Sequence, residues 1–411
     1  MLGNKVWIIN QYGSLPSTGT GGRHRHLSRE LVKLGYNVSM IAARWTHGTR
    51  DEAASDAASE LESFEGFRFL RIPVNKYKHA HDKKRVFNWL IFAWRLRKLT
   101  VKLDEKPDVI IYSSPSLIGY LTAYLLSKRH SARLIFEVRD IWPLTLVKLG
   151  GFSKKHPFIQ FMQWIEDFAY KKSEHMISNL EGAGEHAISR GLSPNKFTWI
   201  PNGFSESELG RFEKANTHIS DTIGSQQFSV TYAGAIGEAN SLDTLIDAAK
   251  TLIDSKGVYF NIVGQGRLVE KLQHKVKISG LSNVLFWGPV PKAQVQAILR
   301  KSDVCVICWR RSSLYDHGLA ANKLFDYLYS GRPIINAYSG GYDIIQRYKA
   351  GLTVPAEDPV ALANAIVKML NFNSRVREEM GINGREAAIK FHEYENIALK
   401  LASVVNSNGM K

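Results

Sequence analysis

The chain has 411 residues, of which 44% are hydrophobic and 22% charged, and its formal net charge is +16 at pH 7. This length is too great for one hydrophobic core and predicts two domains, and the composition excludes a disordered chain. No run of eighteen apolar residues occurs, which excludes a membrane-spanning helix, and the two cysteines, Cys305 and Cys308, exclude a disulfide framework.

In the first half of the chain, apolar runs typical of buried strands alternate with amphipathic stretches typical of helices. The first run is interpreted as a strand and not as a secretory signal peptide, because no long apolar stretch precedes or includes it. Strands are predicted near residues 6–9, 38–42, 68–72, 109–112, 134–138 and 175–178. Helices are predicted near residues 23–34, 87–102, 118–127 and 158–172.

The second half repeats this alternation, which predicts parallel sheets with helices on both faces. Strands are predicted near residues 229–232, 259–263, 284–287, 304–308, 333–337 and 352–354. Helices are predicted near residues 241–255, 267–278, 292–301, 322–329 and 359–370.

A polar stretch after the segment IPNG, residues 200–203, is typical of a linker between two domains. We therefore predict a first domain at residues 1–203, a linker at 204–227 and a second domain at 228–373. The last segment, 374–411, is helical and longer than the second sheet needs.

The loop after the first predicted strand contains Gly21, Gly22, Arg23 and His24. Glycines let a ligand approach the backbone and basic side chains supply charge, so we interpret this loop as a phosphate-binding one. Its glycine spacing differs from the Gly-x-Gly-x-x-Gly dinucleotide fingerprint, and the second strand ends at Arg44 rather than at an acidic residue. Arg44 leaves NADP binding open, and an ordinary turn with basic surface residues is the other alternative.

Residues 76–103 combine nine Lys or Arg and one acidic residue, Asp82, with two Phe and two Trp. Basic, aromatic and aliphatic side chains on a helix are typical of a surface that binds an anionic membrane. Residues 1–203 hold 30 Lys or Arg and 18 Asp or Glu, a net +12, which favours an anionic partner for this half. No nucleic-acid-binding motif accompanies this charge. The alternative is a core helix with a solvated basic face.

The segment FEVRDIWP, residues 136–143, follows a predicted buried strand. Glu137, Arg139 and Asp140 are therefore expected at the carboxyl end of that strand, where ligands bind in open α/β sheets. We interpret them as candidate catalytic residues. Asp140 would hydrogen-bond a substrate hydroxyl and Arg139 would neutralise phosphate charge. A structural Arg–Asp pair that closes the loop is the alternative.

Three glycine-containing strand ends in the second half could present backbone N–H groups to a diphosphate. The residues concerned, which we predict to contact a nucleotide, are Gly234, Gly264, Gly266, Arg267, Gly288 and Val290. Each signal is weak alone, and their order along one domain is what favours a nucleotide site.

The segment GLAANKLFDYLYSGRPIIN, residues 318–336, predicts a short helix followed by a buried strand. Lys323 could add positive charge at the start of the helix, and Asp326 could accept two hydrogen bonds from a ribose diol. With Asn322 and Leu324 they are predicted to bind a nucleotide diphosphate. The alternative is an exposed i,i+3 ion pair of little energetic value.

This segment resembles the donor-binding motif of family 4 glycosyltransferases, in particular WbuB-like enzymes of bacterial surface-polysaccharide assembly. Asp326 stands at the second acidic position of the family's Glu-x7-Glu pattern, whereas Gly318 stands at the first. The segment around Arg139 and Asp140 is similar to the acid-x-Arg-Asp-x-Trp-Pro segment of the same enzymes. Many members carry Arg where Ala235 stands here, so Lys323 or Arg310–Arg311 is expected to offset leaving-group charge.

The resemblance implies the GT-B fold, an α/β architecture of two doubly wound Rossmann-like domains facing a central cleft, with 374–411 crossing back to the first domain. It implies a retaining, metal-independent transfer from a UDP-sugar in the second domain to a lipid-linked glycan held by the first, for O-antigen, capsule or exopolysaccharide. No cofactor is expected, because the nucleotide-sugar is a substrate, and an N-acetylated amino sugar is common among relatives. Backbone groups near Gly288 and Val290 would hold the nucleobase. A cytoplasmic enzyme attached peripherally to the inner face of the cytoplasmic membrane is expected.

Other functions fit parts of the same sequence. A UDP-sugar 2-epimerase of GT-B fold would need no acceptor, and an NADP-dependent oxidoreductase would use the first loop. A non-catalytic protein that binds a membrane or polyanion would account for the charge, but it would leave Lys323 and Asp326 unexplained.

Overall fold

A computed structural model describes residues 4–17, 19, 22–46, 48–49, 60–77, 84–209, 218–255 and 257–407. The chain forms two compact units. Unit 1 comprises residues Met1–Asn202 and Tyr394–Lys411, and unit 2 comprises Gly203–Glu393.

In the described part of unit 1, eight strands form one sheet in the order β3-β4-β2-β1-β5-β6-β7-β8. The strands are β1 (Lys5–Asn10), β2 (Asn37–Ala43), β3 (Glu60–Phe64), β4 (Phe67–Ile72), β5 (Val109–Ser113), β6 (Arg133–Val138), β7 (His175–Ser178) and β8 (Phe197–Trp199). Neighbours pair in parallel except β3 and β4. The apolar runs of β1, β2, β5 and β6 are buried on both faces, as parallel strands covered by helices require.

The antiparallel strand β3 is the one strand of this sheet, besides the short β8, that the sequence pattern did not predict. It joins β4 through a two-residue turn at Glu65 and Gly66, whose φ angles are +47° and +85°. Positive φ at both central positions is the geometry of tight hairpin turns. The strand lies at the edge of the sheet.

Unit 2 contains a six-stranded sheet in the order β11-β10-β9-β12-β13-β14, and every neighbouring pair is parallel among its described residues. Its strands are β9 (Phe228–Ala233), β10 (Val258–Val263), β11 (Val284–Gly288), β12 (Val304–Cys308), β13 (Ile334–Ala337) and β14 (Gly351–Val354). All six were predicted from the sequence.

The helices of the described chain pack on both faces of the two sheets. They are α1 (Arg23–Lys33), α2 (Lys84–Leu96), α3 (Leu99–Leu103), α4 (Ile118–His130), α5 (Leu144–Gly150), α6 (Pro157–Lys172), α7 (Ala183–Ser189), α8 (Glu206–Leu209), α9 (His218–Gly224), α10 (Leu242–Thr251), α11 (Val269–Ile278), α12 (Lys292–Lys301), α13 (Lys323–Tyr329), α14 (Ile344–Arg347), α15 (Pro359–Asn371), α16 (Ser374–His392) and α17 (Tyr394–Asn406).

Alternate residues of each strand serve different cores. Trp7 and Ile9 of β1 pack with α2, α4 and α6, whereas Val6 and Ile8 pack with α1 and α17. In unit 2, α10, α11 and α15 cover one face of the sheet, and α9, α12 and α13 cover the other. Cys305 and Cys308 are buried free thiols in the cores on opposite faces of β12, as the strand period predicts.

The unit boundaries differ from the predicted domain boundaries in two places. Part of the predicted linker, 218–224, is α9, whose Ile223 is buried in the core of unit 2; residues 210–217 lie outside the described residues. Helix α16 belongs to unit 2, so the segment that returns to unit 1 begins at Tyr394 rather than at residue 374. A Cβ at Gly381 of α16 would lie 2.0 Å from the Gly331 carbonyl oxygen, so α16 packs closely on unit 2. The length of the C-terminal segment, on which the prediction depended, does not indicate this packing.

Within the described residues, each helix is too short or too polar to cross a membrane.

Candidate functional site

At the carboxyl end of β6, Glu137 is buried and both of its carboxylate oxygens are occupied. Arg23 Nε donates to Oε1 at 2.8 Å, and His24 Nε2 lies 2.6 Å from Oε2. Burial alone would raise the pKa of Glu137, but the charge that His24 carries at acidic pH, the charge of Arg23 and the hydrogen bond from His24 outweigh this effect and hold the pKa well below its ordinary value. Glu137 is therefore an ionised acceptor inside the protein.

Arg23 and His24 start α1 and are turned into unit 1 rather than toward solvent. The Arg23 guanidinium also donates to the carbonyl oxygens of Ile200 and Pro201 and to Asn202. Burial lowers the pKa of His24, so at neutral pH its neutral ring donates to Glu137. In this structure both predicted phosphate contacts thus bind protein groups, and the loop residue Gly22 has open space around its Cα. Gly21 lies outside the described residues.

Arg139 and Asp140, the other two candidates from this loop, are arranged differently from Glu137. Among the described residues neither side chain forms a hydrogen bond or an ion pair, so the structural Arg–Asp pair is not what closes the loop. The Arg139 backbone N–H donates to Ser114 Oγ at 2.9 Å, which anchors the loop to the end of β5. The loss of water around Asp140 raises its pKa, and the positive charges of Arg139 and Arg85 oppose this rise. Because the residue is exposed, solvent screens both effects.

In unit 2, the loops after β9, β10 and β11 line a pocket of about 810 Å³, a volume that suits a small-molecule ligand. Its lining consists of Ala233, Gly234, Ala235, Val263, Gly264, Gln265, Gly266, Pro289, Val290 and Val295. Four predicted residues, Gly234, Gly264, Gly266 and Val290, are therefore brought to one place.

The glycines of this pocket permit close packing of two loops. A Cβ at Gly264 would lie 1.9 Å from the Gly234 carbonyl oxygen, and one at Gly266 would lie 2.1 Å from that of Ile236. The N–H groups of Gly234 and Gly264 donate to the backbone of Val263 and Gly288. No described group accepts from the N–H groups of Ala235, Gln265 and Gly266, which remain available to an anion.

Lys323 extends along the Gly234 loop at the edge of this pocket. Its Cδ would lie 3.6 Å from a Cβ at Gly234, and its ammonium lies 5.1 Å and 4.3 Å from the ring centroids of Tyr232 and Trp309. Its Nζ also donates to Asn240 Oδ1. Burial lowers the pKa of Lys323 to about 8, so the charge is retained at neutral pH but is poorly hydrated. A poorly hydrated ammonium is stabilised when an anion binds beside it.

The side chains that surround the ammonium of Lys323, which we call its cage, are themselves held in place by hydrogen bonds. Trp309 Nε1 donates to Asn336 Oδ1 at 3.0 Å, and Asn240 Nδ2 donates to the Ala235 carbonyl oxygen at 2.8 Å. The ammonium position is thus set by two loops before any ligand binds, which reduces the ordering that binding requires.

Asp326 lies one turn further along α13 and pairs with Lys292, not with Lys323. The Lys292 ammonium donates to Asp326 Oδ2, and α12 also places Val295 in the pocket wall. The exposed i,i+3 pair is therefore not formed. Burial raises the pKa of Asp326, and the charge and hydrogen bond of Lys292 oppose this rise.

Other predicted donor-binding residues have different surroundings. The side chain of Leu324 packs in the hydrophobic core and is therefore directed away from a ligand. Its N–H donates to the Ala321 carbonyl oxygen. Arg267 is exposed and pairs with Glu238 at 2.6 Å. Asn322 is exposed and precedes a helix of seven residues, so the helix dipole there is short and Lys323 is the main charge. Gly288 has φ +72° and accepts the Gly264 N–H.

Four residues of this site were missed from the sequence: Tyr232, Asn240, Lys292 and Trp309. Tyr232 and Asn240 lie close in the chain to the predicted residue Gly234, and Trp309 directly follows β12, so their positions near strand ends were the available signal. Lys292 had none, because it approaches Asp326 only through the packing of α12 against α13. Among the described residues, no group of three His, Cys, Asp or Glu side chains could hold a metal ion.

Comparison with known families matches both units. Residues 18–203 match the model of the glycosyl transferase 4-like domain, and residues 227–371 match the model of glycosyl transferases group 1.

Individual proteins show the same relationship. WcaI of Escherichia coli K12, named as a colanic acid biosynthesis glycosyl transferase, is 26% identical over 75% of this chain and 77% of its own. WbjE of Pseudomonas aeruginosa, named as a glycosyltransferase, is 21% identical over 88% of each chain. The solved structure of Anabaena HepE in complex with UDP superposes with a TM-score of 0.68, at 15% identity, over 98% of this chain and 100% of its own.

Proposed function

This chain belongs to the family 4 glycosyltransferases and has the GT-B fold, and from that premise we propose that it transfers a sugar from a UDP-sugar to a lipid-linked glycan acceptor. The reaction would serve the assembly of a bacterial surface polysaccharide. The name of WcaI, a colanic acid biosynthesis glycosyl transferase, supports this role. The observation that carries the proposal is the caged ammonium of Lys323 beside a pocket with available N–H groups.

The donor diphosphate would bind to Lys323 and to the N–H groups of Ala235, Gln265 and Gly266. A diphosphate offers several anionic oxygens, and these four donors lie at the rim and in the wall of one pocket. Asp326 would accept the ribose hydroxyls, and the charge and hydrogen bond of Lys292 oppose the rise in its pKa that burial causes. The complex of HepE with UDP, in a similar fold, supports UDP as the nucleotide.

The acceptor would bind to unit 1, with Asp140 hydrogen-bonding its reacting hydroxyl and Arg139 near its phosphate. The support is that both side chains lack protein partners among the described residues, whereas Glu137 is fully occupied. Glu137 would then position Arg23 and His24 rather than contact the substrate. We propose retention of anomeric configuration without a metal cofactor, with the donor phosphate helping to deprotonate the acceptor, as the family resemblance implies.

A membrane-facing surface on α2 would bring the enzyme to its lipid-linked acceptor, at the inner face of the cytoplasmic membrane. Phe87, Leu90 and Trp94 follow i, i+3, i+7 spacing and are 57%, 49% and 61% exposed. Basic residues flank them, of which Lys84, Arg97 and Lys98 are exposed. An exposed apolar stripe among basic side chains differs from a solvated basic face and supports docking to anionic lipid. Residues 78–83 of the predicted segment lie outside the described residues.

The test is calorimetric titration of the full chain with UDP, GDP and ADP. We expect selective UDP binding that is lost in Asp326→Ala and kept in Asp254→Ala, a matched change at an exposed carboxylate of the same unit. Binding of none of the nucleotides would contradict the proposed function. Equal binding of all three would contradict the choice of donor.

A further inference from the structure

Two arginines from different loops of unit 2 approach the same carboxylate, that of Glu238. Glu238 lies in the loop between β9 and α10, and the start of this loop lines the pocket. Arg267 Nη2 lies 2.6 Å from Glu238 Oε1, and Arg310 Nη1 lies 3.6 Å from Glu238 Oε2. Arg267 directly follows Gly266 of the pocket wall, and Arg310 follows Trp309 after the end of β12. The cluster therefore joins three loops at the rim of the pocket.

The two ion pairs of Glu238 differ in strength. The contact of Arg267 is within hydrogen-bond distance, whereas the contact of Arg310 is longer than a hydrogen bond. Among the described residues, no group accepts a hydrogen bond from the Arg310 guanidinium. The side chains of Arg310 and Glu238 are 61% and 51% exposed, so solvent screens their attraction. Arg310 is therefore held near the pocket by a weak contact that an incoming anion can replace.

The backbone of Arg310, unlike its side chain, is held firmly beside the cage of Lys323. The Arg310 N–H donates to the Ala239 carbonyl oxygen at 3.0 Å, and the next residue of that loop, Asn240, accepts from the Lys323 ammonium. The residue before Arg310 is Trp309, whose ring lies beneath the same ammonium. The long, flexible side chain of Arg310 therefore starts where it can turn toward a ligand bound to Lys323.

The neighbouring arginine, Arg311, is directed toward a different loop. Its N–H donates to Glu357 Oε2 at 3.0 Å and its Nη2 donates to the Ala356 carbonyl oxygen at 3.2 Å, and both partners follow the end of β14. The sequence did not distinguish Arg310 from Arg311, and these contacts favour Arg310 as a ligand-binding residue. One ammonium neutralises only part of the charge of a diphosphate, and a planar guanidinium can bind two phosphate oxygens at once.

We propose that Arg310 binds the sugar-bearing, outer phosphate of the donor, and that Glu238 competes with this phosphate for Arg310 and so promotes release of the nucleotide. This inference rests on the proposed function. When the donor binds, the guanidinium exchanges a weak contact with a carboxylate for charge-assisted hydrogen bonds to phosphate. After the transfer, the Glu238 carboxylate, kept in place by Arg267, is the alternative partner of the guanidinium. Glu238 thus sets how tightly the nucleoside diphosphate is held.

The experiment is calorimetric titration of the full chain with UDP and with UMP, which lacks the outer phosphate. We expect Arg310→Gln to weaken UDP binding about fivefold to tenfold and to keep UMP affinity within about twofold, because UMP does not reach Arg310. Arg310→Lys should give an intermediate loss, since it keeps the charge but not the planar fork. Glu238→Gln should tighten UDP binding about twofold to fivefold, as removal of an exposed competing ion pair predicts, and should slow UDP release in stopped-flow measurements.

Arg311→Gln is the matched control, and we expect it to keep the wild-type affinities for UDP and UMP within about twofold. The role of Arg310 is overturned if Arg310→Gln binds UDP unchanged, if it loses UDP and UMP affinity equally, or if Arg311→Gln loses as much. Weaker UDP binding in Glu238→Gln would overturn the competition. Thermal melting identifies a variant that unfolds, and Arg310→Lys then decides.

Failure of this inference and failure of the proposed function give different results. Wild-type UDP binding that Arg310→Gln leaves unchanged overturns this inference alone. If the wild type binds GDP or ADP instead of UDP, the same comparison with that nucleotide and its monophosphate tests Arg310, and only the proposed donor is wrong. If the wild type binds none of these nucleotides, the proposed function and this inference are overturned together.

Discussion

The ammonium of Lys323 lies 4.3 Å from the ring centroid of Trp309, in a position that solvent reaches poorly. Among the described residues, no carboxylate forms an ion pair with this ammonium. An unpaired buried cation is costly to the folded state, and the cost is recovered when an anion binds. This geometry favours a role for Lys323 in binding an anion over a role in stabilising unit 2.

The affinity for UDP should depend on pH through Lys323. Burial lowers the pKa of this side chain to about 8, so we expect UDP affinity to fall as the pH rises through that value and the ammonium loses its proton. In the unfolded chain the pKa is about 10.4, so the folded state binds fewer protons between these values and its stability increases with pH there. Calorimetry across this range, with melting curves at each pH, measures both trends.

Two variants separate the charge of Lys323 from other effects. Lys323→Arg should remove the pH dependence, because guanidinium stays protonated, and Lys323→Met should weaken UDP binding about tenfold or more at neutral pH. Lys250→Met, at an exposed lysine of α10, should leave affinity unchanged. An unchanged pH profile in Lys323→Arg would assign the titration to another group.

Asp326→Asn should reduce UDP affinity without reducing stability. Burial raises the pKa of this carboxyl, which means that the folded state disfavours its charge, and Lys292 is largely exposed and can be hydrated once its partner is neutral. A structural ion pair would behave in the opposite way, with melting temperature lost and UDP binding kept. Calorimetry together with melting curves of Asp326→Asn and of Asp254→Asn as the control distinguishes the two.

Glu137→Gln should destabilise unit 1 by about 3–5 kcal/mol, because it leaves the Arg23 guanidinium buried without its carboxylate. Glu174→Gln, which removes an exposed partner of Arg133, should cost less than about 1 kcal/mol. Denaturant unfolding measures both. If the Glu137→Gln protein has normal stability but has lost transferase activity, Glu137 takes part directly in the transfer reaction.

The same cluster should make the protein sensitive to acid. The pKa of Glu137 is held well below its ordinary value, so its contribution is present above the unfolded pKa and is lost as pH falls through the folded one. The pKa of His24 is also lowered, so the unfolded chain takes up a proton first and stability decreases as pH falls below about 6.5. Melting temperatures from pH 7 downward should therefore decrease, and His24→Gln should remove the earliest part of the decrease.

Hydrophobic patterning predicted most of the fold because parallel strands are continuous apolar runs and their helices are amphipathic. The edge strand β3 was missed since it is polar and short, and its Glu65–Gly66 turn lacks the Asn-Gly signal of a tight hairpin. The site was less predictable. Arg23 precedes Leu27 and Leu31 at intervals of four residues, which places it on the buried face of α1, and that spacing was the available signal.

Long-range pairs could not be predicted from local sequence at all. Lys292 and Asp326 are separated by 34 positions, and Arg85 and Trp142 by a greater distance in the chain. Each of these contacts depends on how helices and loops pack on a sheet, and hydrophobic periodicity does not specify this packing. The sequence indicated candidate loops, and the packing decides which side chains in those loops are available to a ligand.

The exposed stripe of α2 should bind anionic membranes, which vesicle sedimentation can measure. We expect the full chain to sediment with vesicles of phosphatidylglycerol and phosphatidylcholine and to stay in solution with phosphatidylcholine alone, because basic side chains flank the stripe. Phe87→Ser with Trp94→Ser should abolish sedimentation, since both aromatic side chains are more than half exposed and insert into the interface. Ile278→Ser, at an exposed residue of unit 2, is the control and should sediment normally. Sedimentation that persists in the double variant but disappears at high salt would assign the attraction to the basic residues alone, and the apolar stripe would then need another partner.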